Sequence, residues 1–305
     1  MSISSHTPLS FEEIELQLPE LRIAAKRWLF RPGEQPPLRI LALHGWLDNA
    51  NSFDALVHAL AQCGPQARAF ELVALDLPGH GLSEHRSQGP YHFLDAVADA
   101  IAAADTLQWD QFTLIGHSMG GGIATLMAAA LPDRVENLIL LDALGPLVEQ
   151  PEKALERFSR SLLLEQKNKK IRTRYYASLD EAADRIEFIT GMNKSSAEIL
   201  AARALKTDVN GYCWRADRRL RIAARFRLCE AQVQSFLQAI LCPVLLVTSD
   251  RGFGSKKLML EQRIPHVSNL HWIQQQGSHH FHLDYPQELA QSLQHFLCAA
   301  KEADS

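Results

Sequence analysis

The sequence has few cysteines, no long apolar run and no large excess of charge, and each absence excludes a class of protein. The five cysteines are widely spaced and form no C-x-x-C pair, so neither a zinc site nor a disulfide framework is expected. A net charge of −4 over 305 residues gives no basis for nucleic-acid binding. No stretch approaches the roughly 20 apolar residues of a membrane helix. We therefore expect a globular protein with no membrane or nucleic-acid partner.

The first residues also lack a targeting signal. The stretch MSISSHTPLSFEEIEL has no basic segment followed by an apolar core, the pattern of a secretory signal peptide. An odd number of cysteines is most simply explained by free thiols in a reducing compartment. A cytoplasmic location is therefore expected, whereas the sequence carries no indication of the oligomeric state.

Six short apolar runs recur along the chain, each closed by glycine or polar residues. Such runs are typical of strands buried on both faces of a parallel sheet, and helical patterns at 91–107 and 120–133 lie between some of them. This alternation predicts a doubly wound α/β domain, with an antiparallel hairpin from residues 14–29 at the sheet edge. The runs are LRILALHG (38–45), FELVALDLPG (70–79), FTLIGHS (112–118), VENLILLDALG (135–145), CPVLLVTSD (242–250) and NLHWIQQQG (269–277).

The alternation of strands and helices fails between residues 147 and 238, which have a helical character. Residues 147–235 carry 18 basic and 12 acidic side chains, a net charge of +6, while the rest of the chain carries −10. We therefore expect 147–238 to be a helical cap inserted into an α/β core formed by residues 1–146 and 239–305. Its positive charge is expected to serve docking onto the negative core.

The stretch LIGHSMGGG (114–122) places Ser118 between two glycines, after a predicted strand and before a predicted helix. A G-x-S-x-G motif in this setting is typical of a nucleophilic serine on a tight strand-to-helix turn. Gly116 and Gly120 leave room for that turn where a Cβ would clash. The helix that follows directs free backbone N–H groups at whatever the serine attacks. Ser118 is therefore the candidate nucleophile.

A second turn supports this interpretation. Residues 43–46, Leu-His-Gly-Trp, follow an earlier predicted strand, where enzymes with a nucleophilic serine build half of their oxyanion hole. The backbone N–H groups of Trp46 and Met119 are the expected donors to the developing oxyanion. A base is expected after the last predicted strand, where GSHHFHLDYP (277–286) contains three histidines.

These motifs resemble the α/β-hydrolase superfamily over nearly the whole chain. HGW, DLPGHGLS (76–83), GHSMGG (116–121) and the late histidine occur in the superfamily's order and spacing. Within it, HGWLDNANSF and the histidine-rich ending are most similar to the serine hydrolase-like proteins. The resemblance implies an α/β-hydrolase fold and a catalytic triad of serine, histidine and an acid.

The resemblance also implies which histidine is the base. In the superfamily it commonly lies seven residues before the proline of an H-x-x-x-L-[DE]-x-P ending. Counting back from Pro286 gives His279, and Leu283 and Asp284 match as well. His280 is the alternative, while His282 is expected to pack or to face solvent.

The acid departs from the commonest pattern of the superfamily. Most members place it after the strand corresponding to CPVLLVTSD, usually as G-x-x-D, but here Ser249 and Gly252 occupy those two positions. Asp250 comes two residues early, a displacement of several ångströms at roughly 3.3 Å per extended residue. Some members place the acid after the preceding strand, where Asp142 follows LILL. A carboxylate there is costly to bury without a partner such as the triad histidine, so Asp142 is preferred to Asp250.

These residues predict acyl transfer to water. Ser118 would attack a carbonyl as His279 takes its proton, and the resulting acyl-enzyme would be hydrolysed. That chemistry needs no cofactor and no metal. The expected activity is that of a carboxylesterase acting on a small-molecule ester with a small or medium acyl group. A thioesterase or a C–C bond hydrolase would use the same residues, and the unusual acid leaves a non-catalytic ligand-binding scaffold open.

Overall fold

The computed structural model describes residues 9–31, 37–64, 67–168, 172–252 and 257–303. In these ranges none of the helices is both long and apolar enough to span a membrane. The strands are β1 (Phe11–Gln17), β2 (Arg22–Phe30), β3 (Leu38–Leu43), β4 (Phe70–Leu75), β5 (Phe112–His117), β6 (Val135–Leu141), β7 (Leu205–Asp208), β8 (Gly211–Trp214), β9 (Val244–Ser249) and β10 (Leu270–Gln275). The helices are α1 (Asp54–Ala61), α2 (Phe93–Thr106), α3 (Met119–Ala130), α4 (Ala154–Asn168), α5 (Leu179–Thr190), α6 (Lys194–Ala204), α7 (Glu230–Gln238), α8 (Lys257–Arg263), α9 (Phe281–Asp284) and α10 (Pro286–Ala303).

Eight of these strands form one sheet in the order β1-β2-β4-β3-β5-β6-β9-β10. The pairs β1–β2 and β2–β4 are antiparallel, and all the other neighbours are parallel. This confirms the prediction of a mostly parallel sheet with an antiparallel hairpin at one edge. Each of the six predicted runs contains one of the parallel strands, but β10 lies at the sheet edge and is not buried on both faces as predicted.

The central strands are buried because helices cover both faces of the sheet. β4, β5 and β9 are buried along their whole length, including the polar side chains of Glu71, Thr113 and Thr248. Helices α2, α3 and α7 pack on one face, where Met127 and Val233 join the core. Helices α1 and α10 pack on the other, with Leu56 and Leu289. In a doubly wound sheet the carboxyl ends of the parallel strands meet at one edge, which is where ligands bind.

The segment 147–238 contains helices α4 to α7 and also a short hairpin of β7 and β8. The prediction of a purely helical segment is therefore incomplete. The chain reverses at Val209 and Asn210, and Gly211, the first residue of β8, has a positive φ of 117°. Thr207, Tyr212 and Trp214 flank this turn and favour extended backbone, so the hairpin has a recognisable sequence signal.

Arg203, on α6, joins the segment 147–238 to the sheet. Its guanidinium donates from Nε to Asp76 Oδ2 (2.8 Å) and from a terminal nitrogen to Glu13 Oε2 (2.9 Å). Asp76 follows β4 and is fully buried, while Glu13 lies on β1. Arg203 thus pairs a positive charge of the segment 147–238 with two negative charges of the rest of the chain. This agrees with the excess of basic residues in the segment.

Candidate active site

The candidate residues gather at the carboxyl edge of the sheet, because their strands are neighbours there. In the parallel registers Leu43 lies opposite Gly116, and His117 lies opposite Leu141. The chain segments that leave β3, β5 and β6 therefore emerge side by side. Ser118 and Asp142 are the first residues after β5 and β6.

Ser118 stands on a strained turn between β5 and α3. Its φ of 51° and ψ of −110° are unusual for a residue with a Cβ, and positive φ costs roughly 1–2 kcal/mol. The turn is held by the Ser118 N–H, which donates to the Leu141 carbonyl (3.0 Å), and by the Gly122 N–H, which donates to the Ser118 carbonyl (3.1 Å). The serine is partly exposed. Strain of this kind is retained where the surroundings enforce it for a function.

The two flanking glycines are required by close packing, as the sequence predicts. A Cβ on Gly116 would lie 2.5 Å from the carbonyl oxygen of Gly120. A Cβ on Gly120 would overlap the carbonyl oxygen of Leu43 at the end of β3. The start of α3 therefore packs directly against the segment that leads into Trp46.

This packing brings the two proposed oxyanion donors into one region. Met119 is the first residue of α3, so its N–H has no carbonyl partner four residues back within the helix. Trp46 follows the end of β3, and its indole Nε1 donates to the Leu220 carbonyl (3.0 Å) in the segment 147–238. The side chain of Trp46 is therefore hydrogen-bonded to another segment of the chain and not to the site of its own backbone N–H.

His279 and Asp142 form a close pair. The Nδ1 atom of His279 lies 2.6 Å from Asp142 Oδ2, and the imidazole is partly exposed while the carboxylate is buried. The other carboxylate oxygen, Oδ1, accepts the backbone N–H of Ser249 (3.1 Å). Asp142 also has a positive φ of 51°. The buried Asp142 carboxylate therefore has a partner, and that partner is His279, the histidine predicted as the base.

The two alternative residues have other partners. Asp250 Oδ1 accepts the backbone N–H of Gly277 (2.8 Å), and its side chain is 47% exposed. This carboxylate closes the turn after β10. The imidazole of His280 is buried, with Nε2 lying 3.3 Å from Asp48 Oδ1. The geometry favours Asp142 over Asp250 and His279 over His280.

A buried polar cluster lies beside this pair, and no motif in the sequence predicts it. It consists of Asp48, His117 and His280, with His282 next to them. Nδ1 of His117 lies 3.3 Å from Asp48 Oδ2, and Nε2 of His117 lies 2.9 Å from the carbonyl oxygen of His279. Of the two positions expected for His282, packed or facing solvent, it has the packed one, since it is fully buried with Nε2 2.8 Å from Ser52 Oγ. The members come from three distant segments, so no sequence spacing reveals them.

The cluster shifts the acidities of its members. Burial alone would raise the pKa of the Asp48 carboxyl, but the charge of the neighbouring His280 outweighs it and holds that pKa well below its usual range. Burial opposes the charged form of His280, yet the Asp48 carboxylate raises the pKa of that imidazole. Burial lowers the pKa of His117 to about 4. An Asp48 anion therefore faces one readily protonated and one neutral imidazole.

A model of the α/β hydrolase fold matches residues 39–286, and the chain belongs to that family. Within it, the protein is close to the serine hydrolase-like proteins. It is 33% identical over 308 residues to a serine hydrolase-like protein of Dictyostelium discoideum, covering 95% of this chain and 83% of that one.

Two solved structures are similar over nearly the full length. A hypothetical protein of Pseudomonas aeruginosa PAO1 is 33% identical with a TM-score of 0.84, covering 94% of this chain and 99% of that one. The thioesterase domain from the curacin biosynthetic pathway is 25% identical with a TM-score of 0.80, covering 93% of this chain and 99% of that domain. The α/β-hydrolase fold predicted from the sequence is thereby confirmed.

Proposed function

We propose that this serine hydrolase-like protein is a carboxylesterase that cleaves small or medium acyl esters through an acyl-enzyme on Ser118. The observation that carries the proposal is the 2.6 Å contact between His279 Nδ1 and Asp142 Oδ2 at the edge where Ser118 stands on its strained turn. A buried acid that engages Nδ1 fixes the tautomer of the histidine and stabilises its cation. Nε2 is then the atom that takes the proton of the serine hydroxyl.

The reaction follows in two halves. Ser118 Oγ attacks the ester carbonyl while His279 accepts its proton, and the backbone N–H groups of Trp46 and Met119 bind the oxyanion. His279 then gives the proton to the leaving alkoxide, and the acyl group stays on Ser118. Water attacks the acyl-enzyme by the same route in reverse, with His279 as base, and releases the acid. Acyl transfer of this kind uses no cofactor.

The segment 147–238 is proposed to act as a cap that selects the substrate. It contacts the Trp46 indole through the Leu220 carbonyl, and the backbone N–H of the same tryptophan is a proposed oxyanion donor. Residues of this segment would then bound the acyl pocket from above, as pockets between two packed units commonly are.

The test is hydrolysis of p-nitrophenyl esters of increasing acyl length, with the Ser118→Ala variant as control. We expect turnover by the wild-type protein with an optimum at a short or medium chain, and loss of that turnover in Ser118→Ala. The acyl length that gives the highest turnover would indicate the length of the acyl pocket. Equal rates for wild type and Ser118→Ala, with both proteins folded by circular dichroism, would refute the proposal.

Thioester hydrolysis is the second candidate, favoured by the TM-score of 0.80 to a thioesterase domain. The same residues would act on a thioester, whose thiolate leaves without needing a proton. The ratio of kcat/KM for an acyl thioester to that for the matching oxoester separates the two activities. A ratio far above the ratio of their uncatalysed hydrolysis rates would select the thioesterase. Binding of both compounds without turnover would select a ligand-binding scaffold.

A further inference from the structure

The cluster of Asp48, His117 and His280 contains a set of buried atoms that lie within reach of one another. The three side chains are 7%, 0% and 6% exposed, and one ligand atom from each lies within 4.8 Å of the others. Two imidazole nitrogens and a carboxylate oxygen are ligands that divalent transition metals accept.

The hydrogen bonds of His117 leave an electrostatic conflict inside this cluster. Its Nε2 lies 2.9 Å from the carbonyl oxygen of His279, and because a carbonyl can only accept, Nε2 carries the hydrogen. In the neutral ring Nδ1 then presents a lone pair, and it points at Asp48 Oδ2 from 3.3 Å. Both of these buried atoms are without a hydrogen-bond partner in the described part of the chain. Two buried acceptors that face each other are stabilised by a cation between them.

We propose that Asp48, His117 and His280 bind one divalent transition-metal ion, with zinc as the representative of the class. Ligands about 2.0–2.1 Å from a tetrahedral zinc lie about 3.3–3.4 Å apart. That is the separation of His117 Nδ1 from Asp48 Oδ2, and of His280 Nε2 from Asp48 Oδ1, 3.3 Å in each pair. The two pairs end on different oxygens of Asp48, so one ion can be bound only after the three ligand atoms, which lie within 4.8 Å of one another, draw closer together.

Two further features support a metal rather than a simple hydrogen-bonded cluster. A histidine that binds a metal commonly donates its other N–H to a backbone carbonyl, which fixes the ring, and His117 makes that bond to His279. The absence of a side chain at Gly45 also keeps the gap open. A Cβ there would lie 2.7 Å from Asp48 Oδ2 and 2.8 Å from His117 Nδ1, in close contact with both facing acceptors.

The position of the ligands gives the ion a role that differs from catalysis. Asp48 lies two residues after Trp46, His117 directly precedes Ser118, and His280 directly follows His279. A bound ion would therefore cross-link the three loops that carry the oxyanion donor, the nucleophile and the base. Binding releases the protons held by the imidazoles and stabilises the folded state over the unfolded one.

The experiment uses the full chain, stripped with a chelator and then titrated with Zn²⁺. We expect retention of one equivalent of zinc after desalting, measured by elemental analysis, and a rise in Tm that grows with zinc concentration. Asp48→Asn and His280→Gln should weaken zinc binding by more than the roughly 10–100-fold typical of substitutions outside the ligand set. His282→Gln is the matched control and should keep the wild-type stoichiometry, since its Nε2 bonds to Ser52.

Replacement of zinc by Co²⁺ gives a readout that does not depend on the variants. Tetrahedral nitrogen and oxygen ligation produces intense visible bands, which are expected for the wild-type protein and should vanish on addition of excess Zn²⁺. No retained metal and no such bands in the wild-type protein would overturn the proposal. Equal affinity in wild type, Asp48→Asn and His280→Gln would do the same, because the metal would then bind elsewhere. All these readouts are independent of ester hydrolysis.

Discussion

Gly252 lies directly against the carboxylate of Asp142. A Cβ built on Gly252 would overlap Asp142 Oδ2 as well as Ser249 Oγ. Gly252 is the position at which most of the superfamily would carry its acid. The loop after β9 therefore has no side chain at the place that the Asp142 carboxylate, from the loop after β6, occupies.

The variant Gly252→Ala should consequently reduce esterase activity. The added methyl group displaces the Asp142 carboxylate from His279, and a shift of about 1 Å near the reacting groups costs roughly 100-fold in rate. We expect kcat to fall on that scale with little change in KM. Ser249→Gly in the same chain removes only the second clash. Full recovery in the double variant would show that Ser249, not Asp142, is the group that Gly252 protects.

The pair Asp142→Asn and Asp250→Asn tests the choice of acid. Asparagine at 142 removes the charge that stabilises the His279 cation, and we expect kcat to fall about 10³- to 10⁴-fold, the scale seen for the acid of serine proteases. Asparagine at 250 keeps an acceptor for the Gly277 N–H and should change kcat only a few-fold. Steady-state kinetics on one ester suffices. The reverse pattern would assign the acid to Asp250.

The fold and the nucleophile could be predicted because their signals are local. The buried strands β3, β4, β6 and β9 each contain four successive apolar residues, and two glycines around Ser118, between a strand and a helix, mark the elbow. The triad acid is harder to predict, because Asp142 and Asp250 both follow strands. Only the direction in which each side chain points distinguishes the two candidates. The Asp48, His117 and His280 cluster depends on a register between distant segments, which no local pattern contains. The β7–β8 hairpin is different, since residues that favour extended backbone, Thr207, Tyr212 and Trp214, lie on either side of its turn.

Arg203→Met should destabilise the protein strongly. The substitution leaves the fully buried carboxylate of Asp76 with backbone N–H donors from Ala50 and Leu82 but without its countercharge. Breaking one partner of a buried ion pair costs about 3–5 kcal/mol. Urea unfolding measures this loss, and Lys206→Met, at an exposed position of β7, is the control. A loss below about 1 kcal/mol for Arg203→Met would mean that the segment 147–238 docks without this contact.

Asp217 should make the stability depend on pH. Burial acts to raise the pKa of this carboxyl, but hydrogen bonds from Arg219 and from the Tyr91 hydroxyl (3.0 Å) outweigh it, so the pKa lies below the usual 3.8. The folded state therefore gains stability from the ionised group above pH 3.8, and this gain is lost as the pH falls through the lower folded-state pKa.

The variant Asp217→Asn should be about 1.5–3 kcal/mol less stable than wild type at pH 7, the scale of hydrogen bonds to a charged group. The difference should shrink as the pH drops below 3.8. Free energies of unfolding in urea at a series of pH values give both results, and the exposed Asp110→Asn serves as control. A difference that stays constant across this range would rule out ionisation of Asp217 as its source.

The indole of Trp46 is bonded to the Leu220 carbonyl at 3.0 Å, while the backbone of the same residue carries a proposed oxyanion donor. Any displacement of residues 218–221 must either break that bond or drag the tryptophan with it. Movement of the segment 147–238 away from the site would then also displace the proposed oxyanion donor. A ligand too bulky for the pocket would therefore react slowly as well as bind weakly.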